Sequence, residues 1–275
     1  RLPVVLEGRE SPVLATVAAP AALRAPAAGR RVALLTDGHV AARHLARYRE
    51  ALPGAVEIVV PPGEADVASW VRAQLGQSLS RLRRPRVDGL LLHRPQQLLQ
   101  AGGDALARAL LAVQADGLAG RLGVSVYDPA ELEPLLGALP LTMVQAPLNL
   151  LDRRLHDSGW AARLAGLGVE LHVRSAFLQG LLLLPAARRP ARFARWSAHW
   201  AAWDRWLADT GLAPLQACLR YAAAVPGVAR VVVGVDGVAQ LDAIAAGLGG
   251  PLPSLPAWPA APEPELINPS LWEKA

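Results

Sequence analysis

The sequence predicts an α/β fold: a single (β/α)8 barrel with a Pro-rich carboxyl-terminal tail. Three observations carry this. Short apolar runs alternate with longer amphipathic ones eight times along 275 residues, a pattern that implies parallel strands joined by right-handed crossovers. The length suits one barrel. No GxGxxG turn occurs, and an open doubly wound sheet usually advertises one. The expected extents are 1–249 for the barrel and 250–275 for an extended tail, with 250–264 rich in proline.

Each element has its own signal. Ser11 to Val17 reads as the first strand and Ala21 to Ala28 as a short Ala-rich helix. RVALLT, Arg31 to Thr36, is a buried strand, and Val40 to Leu52 is helical by period. Val56 to Val60 is β-branched and stops at Pro61 and Pro62. Asp66 to Arg84 places Val67, Trp70, Val71, Leu75, Leu79 and Leu82 on one stripe of a helix. Strand and helix then alternate: Val87 to His93, Leu98 to Asp116, Leu122 to Tyr127, Pro129 to Leu136, Leu141 to Ala146, and a helix within Leu151 to Leu167. Val169 to Val173 is the seventh strand. Arg192 to Val225 is helical with a break near Gly211 and Pro214. Val228 to Val233 and Val238 to Leu248 complete the eighth unit.

Composition excludes several chemistries. The chain holds 27 Arg but one Lys, Lys274, so no Schiff-base or phosphate-gripping lysine can sit in its body. The net charge of +5 comes from arginine, densest at Arg81 to Arg86 and Arg188 to Arg195. No nucleic-acid-binding signature accompanies those runs, and solvated helix faces explain them. Cys218 stands alone, which gives no internal disulfide and no thiolate metal site. No metal-ligand, HExxH or GxSxG pattern appears. The run Leu181 to Leu184 is too short to span a bilayer, and no secretory pattern is present, so a cytoplasmic setting is expected. Trp196, Trp200 and Trp203 share a helix face and read as packing.

In such a barrel the site lies at the carboxyl ends of the strands. The candidates there are Thr36, Asp37, Val60, His93, Arg94, Ser125, Gln145, Asn149, Arg174, Ser175 and Gly234 to Asp236. His93 ends an apolar strand, where it could serve either as a satisfied rim residue or as an acid. The Gln145 amide offers a donor and an acceptor, which suits a ligand carboxamide or a pinned loop. RSAFLQG, from Arg174 to Gly180, and Gly234 to Gly237 could be plain turns or anion cradles.

The block from Ser69 to Ile244 resembles the aldo/keto reductases. SWVRAQLGQSLSRLRRPRVDGLLLHRP, ADGLAGRLGVSVYDPAEL, MVQAPLNLLDRRL, VELHVRSAFLQGLLL and VARVVVGVDGVAQLDAI carry the likeness, in the family's order and spacing. The resemblance implies a barrel that binds NADP or NAD and moves a hydride between the nicotinamide and a small carbonyl or sugar-like substrate, with no role for nucleic acid or membrane. His93 matches the family's active-site histidine. Ser125 and Gln145 match carboxamide-binding positions, although the Asn that usually follows the Ser is Val126 here. Arg174 falls where an aromatic ring often stacks on the nicotinamide. Ser175, Phe177, Gln179 and Gly180, with Gly234, Asp236 and Gln240, match loops that hold the cofactor phosphates.

The first 65 residues diverge. The family carries an Asp and a Tyr after strand two and a Lys at the end of strand three, the Tyr acting as general acid. A phenol with a pKa of about 10 needs a nearby cation to share its proton at neutral pH. A gapless placement of LLTDGHVAARHLARYREAL over the family's second βα unit puts Thr36 at the Asp and Ala41 at the Tyr, and the Lys falls near Val60 and Pro61. This leaves three readings: a reductase with an incomplete tetrad using His93, with an arginine such as Arg94 polarising the carbonyl; a catalytically degenerate barrel that binds NAD(P) or a sugar-phosphate as a regulatory module; or a barrel enzyme of other chemistry built on His93, Arg94 and Arg174.

Overall fold

A computed structural model describes residues 13–17, 31–36, 54–58, 60, 66–235, 238–256, 258–259 and 262–274. Eight strands close into a barrel: β1 (Val13–Val17), β2 (Arg31–Thr36), β3 (Gly54–Ile58), β4 (Val87–Leu92), β5 (Ala119–Ser125), β6 (Met143–Pro147), β7 (Glu170–Arg174) and β8 (Val228–Gly234). The helices are α1 (Val67–Leu82), α2 (Gly103–Ala115), α3 (Leu132–Ala138), α4 (Trp160–Gly166), α5 (Ser197–Thr210), α6 (Pro214–Ala224) and α7 (Val238–Gly247), with shorter helical turns between them. The expected helices at 21–28 and 40–52 lie outside the described residues.

One expectation about the strands fails. β3 to β8 run parallel, each paired to the next, and β2 lies parallel to β8. β1, however, is antiparallel to both neighbours, β2 and β3. The strand next to β8 is therefore the second in the chain, and the slot between it and β3 is filled by the first. The gapless placement of Arg31 to Thr36 over the family's second unit does not survive this order. The physical reason is that alternation of apolar residues reads the same in both directions. It places a strand in a sheet without fixing its polarity.

From β3 onward, local signals place the elements. Asp66 caps α1, its carboxylate accepting from the Ser69 amide at 3.0 Å. The α1 stripe packs as read: Val71, Leu75 and Leu79 are buried, with Val67, Trp70 and Leu82 against them. The expected helix from Leu98 splits into a 3-10 turn (Pro95–Leu99) and α2, because Gly102 sits at φ +87° between them. Gly211, also left-handed, ends α5, and Pro214 opens α6. Trp196, Trp200 and Trp203 are all buried, as their spacing implied, although Trp196 ends the 3-10 turn Ala191–Trp196 ahead of α5; Trp206 of α5 is buried as well. After α7 residues 251–256 form neither helix nor strand. The chain then closes in turns at Pro264–Ile267 and Pro269–Lys274, with Leu266, Ile267 and Trp272 buried.

The barrel interior is more polar than its strands suggest. At the amino-terminal end, Arg121 of β5 bonds to Glu170 of β7 across the intervening β6, so both side chains point inward. His172 lies 2.7 Å from Glu170, and Arg230 Nε donates to the same carboxylate at 2.7 Å. Gly123 of β5 allows close packing between strands: a methyl group there would run into the Met143 carbonyl and come within 2.8 Å of Leu91.

Candidate active site

The carboxyl ends of the strands bring the main candidates together. β4 delivers His93, whose amide donates to the Ile58 carbonyl of β3 at 2.9 Å. That pairing sets the imidazole beside Glu57, and Nδ1 lies 2.6 Å from Glu57 Oε1. Burial pushes the Glu57 carboxyl up. The hydrogen bond and positive charge of His93, the charge of Arg174 and the Ser125 hydroxyl together outweigh burial and hold it below its ordinary value. An ionised carboxylate can only accept, so Nδ1 carries the hydrogen and Nε2 is the nitrogen not engaged by Glu57.

β5 and β6 deliver Ser125 and Gln145, which pair in register. The Ser125 hydroxyl donates to Gln145 Oε1 at 3.4 Å, and both residues are buried. Tyr127, two residues beyond Ser125, presents its ring edge-on to His93 with centroids 6.3 Å apart. Its face lies 4.4 Å from the guanidinium carbon of Arg174. Arg174 Nη2 also donates to the Val126 carbonyl at 3.0 Å. His93, Tyr127 and Arg174 thus form a rim around Glu57, Ser125 and Gln145.

The remaining candidates fall at the same end, in different roles. Asn149 is a hinge pin: Oδ1 accepts from Leu151 and Asp152, and Nδ2 donates to the Ser175 carbonyl at 3.1 Å. Ser175, Leu178 and Gln179 all hold positive φ, at 59°, 46° and 53°, ahead of Gly180 at 84°. Non-glycine residues pay strain for such conformations, and strain of this kind clusters at ligand sites. Buried Leu178 and partly buried Phe177 fix this loop from within, while Gln179 is exposed. Gly234 ends β8 and is exposed. Gln240 is exposed in the first turn of α7, and Asp236 lies outside the described residues. Arg94 is exposed beside His93. Val60, near the expected lysine position, is 3% exposed and brings no charge.

The profile of the aldo/keto reductase family matches residues 58–254, well over half of the chain. The chain belongs to the aldo/keto reductase family. Its fold is similar to that of the aldo-keto reductase AKR11C1 from Bacillus halodurans in the holo form, with a TM-score of 0.61 and 18% identity over 80% of this chain and 77% of that one. It is also similar to the glycerol dehydrogenase AKR11B4 from Gluconobacter oxydans, with a TM-score of 0.55 and 20% identity over 68% and 61%. No curated protein sequence matches the chain. Among the described residues no helix is long and apolar enough to cross a membrane.

Two site residues escaped the sequence reading. Glu57 stands inside an apolar strand, GAVEI, where a lone carboxylate needs a partner; asking what could pair with His93 would have found it. Tyr127 ends the expected strand Leu122 to Tyr127, and nothing in the spacing marks it.

Proposed function

We propose that this aldo/keto reductase is an active NAD(P)-linked oxidoreductase that reduces a small carbonyl or sugar-like substrate, in a cytoplasmic setting. The Glu57–His93 pair is the observation that carries this reading. A regulatory barrel has no need for a partly buried carboxylate held against a histidine at the strand ends. A hydride-transfer enzyme has that need, because the carbonyl oxygen requires a proton as the carbon is reduced.

The residues present fit the cofactor. The buried Ser125–Gln145 pair combines a hydroxyl with an amide that can both accept and donate, the complement of a carboxamide. The loop from Ser175 to Gly180 and the start of α7 around Gln240 would hold its phosphates. When bound, the reduced nicotinamide supplies the hydride. His93 supplies the proton: protonated Nε2 donates to the developing alkoxide, while Glu57 holds Nδ1–H and stabilises the imidazolium before it gives up that proton. The alcohol leaves with one hydride and one proton gained, and His93 is reprotonated from solvent. Tyr127 lies T-shaped to the imidazole, with centroids 6.3 Å apart.

Titration with NADPH and NADH, followed by nicotinamide fluorescence and by turnover of an aldehyde and ketone panel, tests the reading. Saturable binding below about 100 μM with measurable turnover is expected for an enzyme of ordinary affinity. Absence of binding at that level removes the oxidoreductase and the cofactor-binding module together.

A further inference from the structure

Arg174 is placed where it can distinguish one form of the cofactor from the other. Its side chain leaves β7 and reaches the Val126 carbonyl just beyond β5, 3.0 Å from Nη2. β6 lies between those strands, so the guanidinium passes over the end of β6. Gln145 of β6 is in register with His172, two residues before Arg174, and Ser125 is in register with Gln145. The carboxamide-binding pair therefore sits one layer beneath the guanidinium. A flat ring whose carboxamide rests on Ser125 and Gln145 lies against Arg174.

A nicotinamide ring carries a positive charge when oxidised and none when reduced, with nearly the same shape. Guanidinium is always charged. We infer that Arg174 is a redox-state selector: it makes the protein hold reduced cofactor more tightly than oxidised, so that the reduced form is loaded preferentially and the oxidised form leaves readily. The inference rests on the cofactor reading proposed above. Tyr127 backs the guanidinium at 4.4 Å, and the Ser175 hydroxyl lies 3.4 Å from Nη1, so the charge is held in place. Glu57 is the opposing charge, but its carboxylate is already engaged by His93. It offsets part of the effect. A like-charge contact at this range, so offset, shifts a dissociation constant roughly tenfold to a hundredfold.

The test is the ratio of dissociation constants for NADP+ and NADPH, and for the NAD pair, measured calorimetrically on the intact protein. The expected ratio is at least about tenfold in favour of the reduced form. Arg174→Gln should bring it within about threefold, whereas Arg174→Lys should keep most of it. Equal affinities in the unaltered protein, or a ratio unmoved by Arg174→Gln in a variant that melts normally, would overturn the inference and leave cofactor binding standing. Binding of neither form would overturn the underlying reading instead. Should Arg174→Gln fail to fold, Glu57→Gln carries the test: removing the counter-charge should widen the ratio, and an unchanged ratio counts against the selector.

Discussion

Glu57 decides how His93 can work. Its carboxylate accepts from Nδ1 and so fixes the tautomer of the imidazole. Glu57→Gln replaces an acceptor by a group that can also donate, and the imidazole then loses both its fixed tautomer and its counter-charge. Turnover should fall roughly tenfold to a hundredfold, with the affinity for NADPH retained. Steady-state kinetics beside a fluorescence titration would read both; full activity in the variant would show that the pair is only structural. Tyr127 and Arg174 act at the same scale. No lysine is present in the body of the chain to serve as the family's cation, and the cation at the rim is instead an arginine delivered from β7.

At the scale of elements, the sequence was most legible where the pattern carries depth and least where it needs direction. The α1 stripe, the Trp face of α5, the break at Gly211 and Pro214, and the strand-end positions of Ser125, Gln145 and Arg174 followed from period and turn chemistry. The polarity of β1 did not, since an alternating strand reads alike from either end. Nor did the place of β2 beside β8, which is set by contacts distant in sequence. Glu57 was hidden for a related reason: a charge inside a strand declares its partner only when the neighbouring strand is known. The tight centre of the barrel yields a prediction at this scale. Gly123→Ala on β5 drives a methyl into the Met143 carbonyl and Leu91, and backbone cannot yield as a flexible side chain would. A loss of about 1–3 kcal/mol is expected in denaturant unfolding. Unchanged stability would mean that β5 and β6 can separate at low cost.

For the whole molecule, the charged layer at the amino-terminal end of the barrel links folding to pH. Glu170 is held at about 2, first by the His172 hydrogen bond, against burial, and then by Arg230. Burial holds His172 below its ordinary value of 6.5 despite Glu170. Both folded values are depressed, so the unfolded chain binds more protons as pH falls. The His172 contribution is present above about 6.5 and is lost as pH drops below that toward its lower folded value. The Glu170 contribution is present above about 4.5 and is lost between there and about 2. The melting temperature should therefore fall in two stages on acidification, and a flat profile from pH 7 to 4 would contradict this. Glu170→Gln leaves the buried Arg230 without its counter-charge. The expected cost lies toward the lower end of roughly 3–5 kcal/mol, because the Glu170 side chain is itself 20% exposed. On the reading proposed above, the buried Ser125–Gln145 pair would take the cofactor carboxamide and His93 would handle the proton. The most direct test is NADPH-dependent carbonyl turnover in His93→Ala beside the unaltered protein. The account predicts turnover in the unaltered protein and a fall of roughly a hundredfold or more in the variant, with NADPH binding intact. Turnover that survives the substitution would contradict it.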